Sequence, residues 1–353
     1  MRWPAWWLPR FHPRRPQGPD RERTRHRPLN RGFLFLDSHP AGCRKTVADM
    51  WQAVPARQPG GDGPVALVIG SSAGYGLAAT IAGLARAGIR GIGVCFEKAP
   101  GRRTGTAGWY RTAATAELAR KHGRDMVFLN GDAFSDAMKH QVADLVKQRY
   151  GRLDYLIYSV AAPRRTDPDT GITYSSVLKP IGEPYRTKTL NLDASGAPEV
   201  TEVETAPAAG DDIEQTTAVM GGTDWERWID HLAGRDLLAD GFTTAALSYI
   251  GSPLTAGIYR QGTIGAAKTH LEATARTPGP EGVGSLRGAL AGDRRPRRPA
   301  GRRQRPAPPC AHVRQPVRDA RTDAKPGPRR RYRGGDAGPQ HRRQVLRHHR
   351  GRR

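Results

Sequence analysis

Tyr259 and Lys268, a phenol and an ammonium with eight residues between them, are the side chains whose types and spacing could do chemistry. A tyrosine hydroxyl can hydrogen-bond a carbonyl oxygen as negative charge develops on it, acting as acid or oxyanion donor. A nearby lysine charge favours the phenolate that this leaves. A second phenol, Tyr249, stands ten residues before Tyr259. Tyrosines and lysines are common at strand–helix junctions, so the pair takes its meaning from what must position it.

The best candidate for that setting is GSSAGYG at 70–76, with glycines in a Gly-x3-Gly-x-Gly spacing. Glycine makes up 42 of the 353 residues, so the spacing alone says little. Its place says more, because an apolar β run ends and a helical pattern begins there. Backbone without side chains lets a pyrophosphate approach the N–H groups of a helix N-terminus, and Ser72 can add a hydroxyl. Glu97 follows the next strand, 21 residues after Gly76, where a carboxylate can accept from the adenosine ribose hydroxyls. It would repel a 2′-phosphate, which favours NADH over NADPH. Asp132, after the third strand, could hydrogen-bond the adenine amine. Val160 and Ala161 end the fourth strand, where small apolar residues let a dinucleotide cross the sheet edge. Beside a nicotinamide, Lys268 could hold ribose hydroxyls while Tyr259 meets a substrate carbonyl.

The elements implied are alternating strands and helices. Apolar runs at 65–69, 91–96, 126–129 and 153–160 read as strands. Helical spacing at 75–87, 109–122 and 136–150 separates them. Strands without polar alternation require a sheet covered on both faces, so the fold class is α/β, a doubly wound parallel sheet of Rossmann-like type. Between 161 and 222 the pattern changes, and 187–192 with 199–205 reads as an inserted β-hairpin set on the sheet. A helix at 225–238, a strand at 243–250 and a helix at 264–275 close the readable part. A sheet that stopped at 243–250 would leave an apolar edge unpaired.

Composition divides the chain into a body and two ends. The formal charge is +24, but residues 1–31 carry a net of +7 and 277–353 a net of +17, which leaves 32–276 neutral. The final segment has 21 Arg, 11 Pro and 11 Gly and no apolar periodicity, so it is expected to be disordered. Out-of-frame translation of GC-rich DNA has this composition, and residues 1–30 share its character as a basic extension. Three cysteines, Cys43, Cys95 and Cys310, make no disulfide framework and no zinc spacing, which points to a reducing, cytoplasmic setting without a metal. No apolar run is long enough for a membrane span, and the proline-broken start does not suit a signal peptide.

A series of segments now carries a family resemblance: HPAGC (39–43), GSSAGYGLA (70–78), FEK (96–98), GTAGWY (105–110), NGDAFSD (130–136), APRR (162–165), LKPIG (178–182), AVMGG (218–222) and the Tyr-x8-Lys block. In this order they resemble the trans-2-enoyl-CoA reductase / enoyl-[acyl-carrier-protein] reductase family across roughly residues 31–275. Ordinary short-chain dehydrogenases, of related fold, use a shorter Tyr-to-Lys spacing. The resemblance implies a monomeric NADH-dependent reductase of enoyl-CoA or carrier-protein-bound enoyl thioesters in type II fatty acid synthesis. It implies that Ser72, Ala73, Gly74, Tyr75, Gly76 and Leu77 bind the pyrophosphate, Phe96 and Glu97 the adenosine, and Asp132 and Ala133 the adenine. Val160 and Ala161 would also touch the dinucleotide. Tyr249 would bind substrate, Tyr259 would be the proton donor and Lys268 would hold the nicotinamide ribose. Family members continue beyond the lysine helix with further strands and a Leu-Val-Thr-Gln loop, and nothing after residue 277 resembles these.

Two other functions fit the residues. One is an NAD-dependent ketone or alcohol dehydrogenase of the same fold, separable by substrate exchange. The other is a basic protein that uses its tail to bind nucleic acid or an acidic carrier protein. Its affinity would fall steeply with salt and vanish without residues 277–353.

Overall fold

A computed structural model describes residues 30–31, 34–35, 38–55, 62–192, 198–249, 251–276 and 286–291. All of these belong to one compact unit, residues 1–296. Nearly all of the basic extension at 1–30 and most of the tail, including Cys310, lie outside the described residues.

The two-residue strands β1 (Asn30–Arg31) and β2 (Leu34–Phe35) pair antiparallel and precede helix α1 (Pro40–Ala53). Strand and helix then alternate as β3 (Val65–Ile69), α2 (Gly74–Ala82), β4 (Arg90–Cys95), α3 (Ala107–Lys121), β5 (Met126–Asn130), α4 (Asp136–Arg149) and β6 (Leu153–Tyr158). Two antiparallel ribbons follow, β7 (Arg164–Thr166) with β8 (Thr173–Ser175) and β9 (Tyr185–Leu192) with β10 (Pro198–Thr205). Helices α5 (Asp212–Met220) and α6 (Thr223–Ala233) lead into β11 (Leu238–Ser248). Helix α7 (Thr263–Thr274) and β12 (Leu286–Ala291) complete the described chain.

Six strands form one sheet in the order β12-β11-β6-β3-β4-β5, and every pairing is parallel. All five residues of β3 are buried, as a central strand covered on both faces requires. On one face Leu67, Ile69, Ile92, Val94 and Leu156 pack with Val142 and Val146 of α4 and Trp225 and Trp228 of α6. On the other lie Ala66 with Leu84 and Ala119, and a cluster of Val47, Leu77, Ile81 and Ala114 from α1, α2 and α3. Strand order reverses between β3 and β6, and in such sheets the crevice beyond the strands' carboxyl ends is where ligands bind.

The structure departs from the sequence pattern in five places. The apolar pattern carries a helix to Leu238, but α6 ends at Ala233 because Asp236 adopts φ +56° and turns the chain into β11. The hairpin expected over 187–192 and 199–205 forms as β9 and β10, yet as a separate two-stranded sheet. Helices α1 and α5 went unseen, α1 because it buries only Cys43 and Val47 and so shows little apolar periodicity. Within the tail expected to be disordered, β12 pairs with β11 from Thr243↔Leu286 to Ser248↔Ala291, so the edge beyond β11 is covered.

Candidate active site

The turn from β3 into α2 is held close to the end of β6. Gly70 has φ +84°, and a Cβ there would sit 2.0 Å from the Ser159 carbonyl oxygen. A Cβ on Gly76 would sit 2.1 Å from the Gly70 carbonyl oxygen, so the first turn of α2 folds tightly onto the loop. Only glycine allows this packing. Helix α2 starts at Ala73–Gly74 with no side chain capping its N-terminus, which leaves its amides to an anion. Ser72 and Leu77 are buried; Ala73, Gly74 and Tyr75 are exposed along the edge.

Beyond β4 the acidic position is tightly built. The Glu97 carboxylate accepts from the Ser72 hydroxyl through Oε1 at 2.6 Å and from the Thr106 hydroxyl through Oε2. Asn130, the last residue of β5, clamps the Glu97 backbone: its Oδ1 accepts from the Glu97 amide at 2.7 Å, and its Nδ2 donates to the Glu97 carbonyl at 2.9 Å. The carboxylate lies against the start of α3, where a Cβ on Gly108 would fall 1.8 Å from Oε1. A negative charge is favoured at a helix N-terminus. Phe96 projects into solvent beside it, 77% exposed, an apolar face open to a planar ring. The Ser72 hydroxyl, expected to face a pyrophosphate, is therefore donated to Glu97.

After β5, Asp132 accepts from the Phe134 amide through Oδ1 at 2.9 Å, and its carbonyl accepts from the hydroxyl of Ser135, the N-cap of α4. The Ala133 carbonyl turns inward and accepts from Lys139 Nζ and Trp228 Nε1, both at 3.1 Å. After β6, Val160 is half-buried against the core and Ala161 is exposed.

Tyr249 follows β11, and its ring meets that of Tyr259 edge-on with centroids 5.0 Å apart. Burial raises the Tyr249 hydroxyl pKa above the ordinary phenol value, and the neighbouring Tyr259 and Tyr75 phenols add to this. Helix α7 abuts the Tyr259 backbone, since a Cβ on Gly265 would lie 2.0 Å from the Arg260 carbonyl oxygen and 2.5 Å from that of Tyr259. Lys268, one turn further along α7, is 4% exposed. Its Nζ donates to the Met220 carbonyl at 3.1 Å, and burial lowers its pKa to about 8. The ammonium is therefore anchored on AVMGG.

The expected residues all lie beyond the carboxyl ends of β3, β4, β5, β6 and β11 or on α7 beside them. Sequence reasoning missed Asn130, Thr106 and the Met220 carbonyl, although each lies inside a quoted segment: NGDAFSD, GTAGWY and AVMGG. Their roles run through backbone groups or short polar bonds, which leave no periodic signal. Lys139 and Asp224 were missed because charged residues on helices ordinarily face solvent.

Two family models match the chain in succession: the NAD(P)H binding domain of trans-2-enoyl-CoA reductase over residues 26–102, and the trans-2-enoyl-CoA reductase catalytic region over 103–279. The enoyl-[acyl-carrier-protein] reductase [NADH] of Streptomyces avermitilis is 57% identical over 251 residues, covering 71% of this chain and 64% of that protein. That of Flavobacterium johnsoniae is 47% identical, covering 71% and 63%. The solved trans-2-enoyl-CoA reductase of Treponema denticola, in complex with NAD, is 43% identical with a TM-score of 0.66, covering 71% of this chain and 64% of that one. The Clostridium acetobutulicum enzyme, in complex with NADH, is 38% identical with a TM-score of 0.66, covering 71% and 63%. The chain thus spans just under two thirds of the length of these relatives.

Proposed function

This chain belongs to the trans-2-enoyl-CoA reductase family, and on that premise we propose that it reduces the 2,3-double bond of trans-2-enoyl thioesters with NADH. The observation that carries the proposal is that the glycine loop and the edge-on Tyr249–Tyr259 pair both lie beyond the carboxyl ends of strands of one parallel sheet. A dinucleotide fits this edge: the Gly70–Gly76 packing leaves backbone room, α2 starts uncapped, and Glu97 is fixed where the adenosine ribose would lie. In the proposal residues 72–77 hold the pyrophosphate, Phe96 and Glu97 the adenosine, Asp132 and Ala133 the adenine, and Val160 and Ala161 the crossing. The bound NADH supplies hydride to the β-carbon of the thioester. The Glu97 charge would oppose a 2′-phosphate.

Tyr259 hydrogen-bonds the thioester carbonyl oxygen and so stabilises the negative charge that collects there. It also donates the proton with which the enolate becomes the saturated thioester, carried at its α-carbon. Tyr249 touches the substrate and orients the Tyr259 ring edge-on. Lys268 holds the nicotinamide ribose hydroxyls with its positive charge. With a pKa lowered to about 8, Lys268 keeps that charge at neutral pH. The substrate is an enoyl thioester of CoA or of an acyl carrier protein, consumed in type II fatty acid synthesis by a cytoplasmic monomer. Among the described residues no helix is long and apolar enough to cross a membrane.

Mixing the chain with NADH and crotonyl-CoA tests the proposal. Loss of NADH absorbance with formation of butyryl-CoA, slowed by about 10²- to 10³-fold in Tyr259→Phe, is the expected result. NADH consumption with a simple ketone and none with crotonyl-CoA would move the assignment to a dehydrogenase.

A further inference from the structure

Beneath the edge assigned to the adenosine half lies a buried polar cluster to which the proposed reaction gives no role. Lys139, on α4, is 1% exposed, and Asp224, in the first turn of α6, is 2% exposed. The Lys139 ammonium has three protons and three partners: Asp224 Oδ1 at 2.8 Å, the Phe134 carbonyl at 2.9 Å and the Ala133 carbonyl at 3.1 Å. The second Asp224 oxygen accepts from the Tyr158 hydroxyl at 2.9 Å. Trp228 closes the cluster: its Nε1 donates to the Ala133 carbonyl at 3.1 Å, and its ring lies 5.1 Å below the ammonium.

A buried ion pair is a poor way to gain stability, because desolvation of both charges consumes most of their attraction. Apolar side chains of similar volume often do as well or better. Burial does push the Lys139 pKa down, against the pull of Asp224, and holds the Tyr158 hydroxyl well above the usual phenol range. What an apolar pair could not supply is donors for two inward-facing carbonyls in the loop after β5. Nor could it provide a rigid tie from that loop to Tyr158, the last residue of β6. Both tied segments, 132–134 and 158–161, are stretches to which the proposed function assigns adenine contact and the crossing of the sheet edge.

We propose that Lys139, Asp224 and Tyr158 are positioning residues for the adenosine half of the dinucleotide, setting the loop after β5 and the end of β6 in register from beneath. The inference rests on the NADH reading of the edge. Asp224 is the centre of the device, because it alone bonds to both sides. None of the three side chains touches the ligand, so their effect passes entirely through the Ala133 and Phe134 carbonyls and the course of the chain after Tyr158.

The test compares NADH with reduced nicotinamide mononucleotide, which lacks the adenosine half, in fluorescence titrations of the full chain. The variants are the double replacement Lys139→Met with Asp224→Leu, and the single replacement Tyr158→Phe, which removes one hydroxyl. Both should weaken NADH by about tenfold, the loss expected for one hydrogen bond to a charged group, and leave the mononucleotide unchanged. Unchanged NADH affinity in a variant with native circular dichroism would overturn the proposal. Equal weakening of both ligands would also overturn it, since that is what a purely structural role gives. If the double variant fails to fold, Tyr158→Phe decides by the same comparison. Failure of the parent chain to bind NADH at all would defeat the cofactor reading, and the inference with it. That outcome is visible before any variant is measured.

Discussion

The ammonium of Lys268 lies 3.1 Å from the carbonyl oxygen of Met220, the last residue of α5. A helix C-terminus carries partial negative charge on carbonyls without intrahelical partners, and a cation placed there is stabilised. Two residues further on, the Gly222 amide donates to His270 Nδ1 of α7 at 3.1 Å, a second tie between this helix end and α7. AVMGG and the lysine helix therefore form one unit, with a charge buried at their junction.

That burial has a pH signature. Burial alone lowers the Lys268 pKa from 10.5 to about 8. Below pH 8 the residue is protonated in both folded and unfolded chains, and its full desolvation cost is present. Between pH 8 and 10.5 the unfolded chain binds more protons, so this group's contribution to stability rises with pH. Denaturant midpoints of the parent and of Lys268→Met, measured from pH 7 to 10.5, should diverge in the parent's favour by up to about 3 kcal/mol. A constant difference, or one of opposite sign, would contradict a buried, unneutralised ammonium.

Tyr259→Phe keeps the ring against Tyr249 and removes the hydroxyl. Turnover of an enoyl thioester should fall by about 10²- to 10³-fold, the usual cost of losing an acid or oxyanion donor. NADH affinity should stay within about twofold, which a titration checks. Tyr249→Phe should instead act mainly on KM for the thioester.

Gly108→Ala places a methyl group 1.8 Å from a Glu97 carboxylate oxygen, and it must displace that carboxylate from Ser72 and Thr106. NADH affinity should drop by about tenfold or more with the fold retained. Glu97→Gln removes the charge and keeps the shape. It should narrow the preference for NADH over NADPH by about tenfold, read from the ratio of dissociation constants.

Cys95 offers a check on the sheet itself. Its thiol is 3% exposed, and burial raises its pKa to about 11 against a lowering bond from Thr112. At pH 8 it should resist alkylation in the folded chain and react on unfolding, as peptide-level mass spectrometry would show. Rapid labelling of Cys95 under native conditions would mean that β4 is not covered as described.

Much of the parallel sheet was legible in the sequence because fully covered strands are continuous apolar runs, and 65–69 matches β3 residue for residue. Helix α1 was not, since two buried residues in fourteen make no stripe. Strand β12 was hidden because its six residues, LRGALA, stand in a tail without apolar periodicity, and only its partner β11 gives it a place. Among the site candidates, residue types singled out Glu97, Tyr259 and Lys268. Their partners could not be read, because Asn130 acts on a backbone, Met220 acts through a carbonyl and Lys139 acts from inside the core. Such bonds depend on segments far apart in sequence.

The most direct test is NADH oxidation by the full chain in the presence of crotonyl-CoA, with the thioester product identified. A reductase site at the edge shared by Gly70, Tyr249, Tyr259 and Lys268 predicts NADH loss matched by butyryl-CoA, dependent on the Tyr259 hydroxyl. A folded chain that binds NADH yet leaves crotonyl-CoA unreduced, or reduces it equally well as Tyr259→Phe, would contradict that assignment.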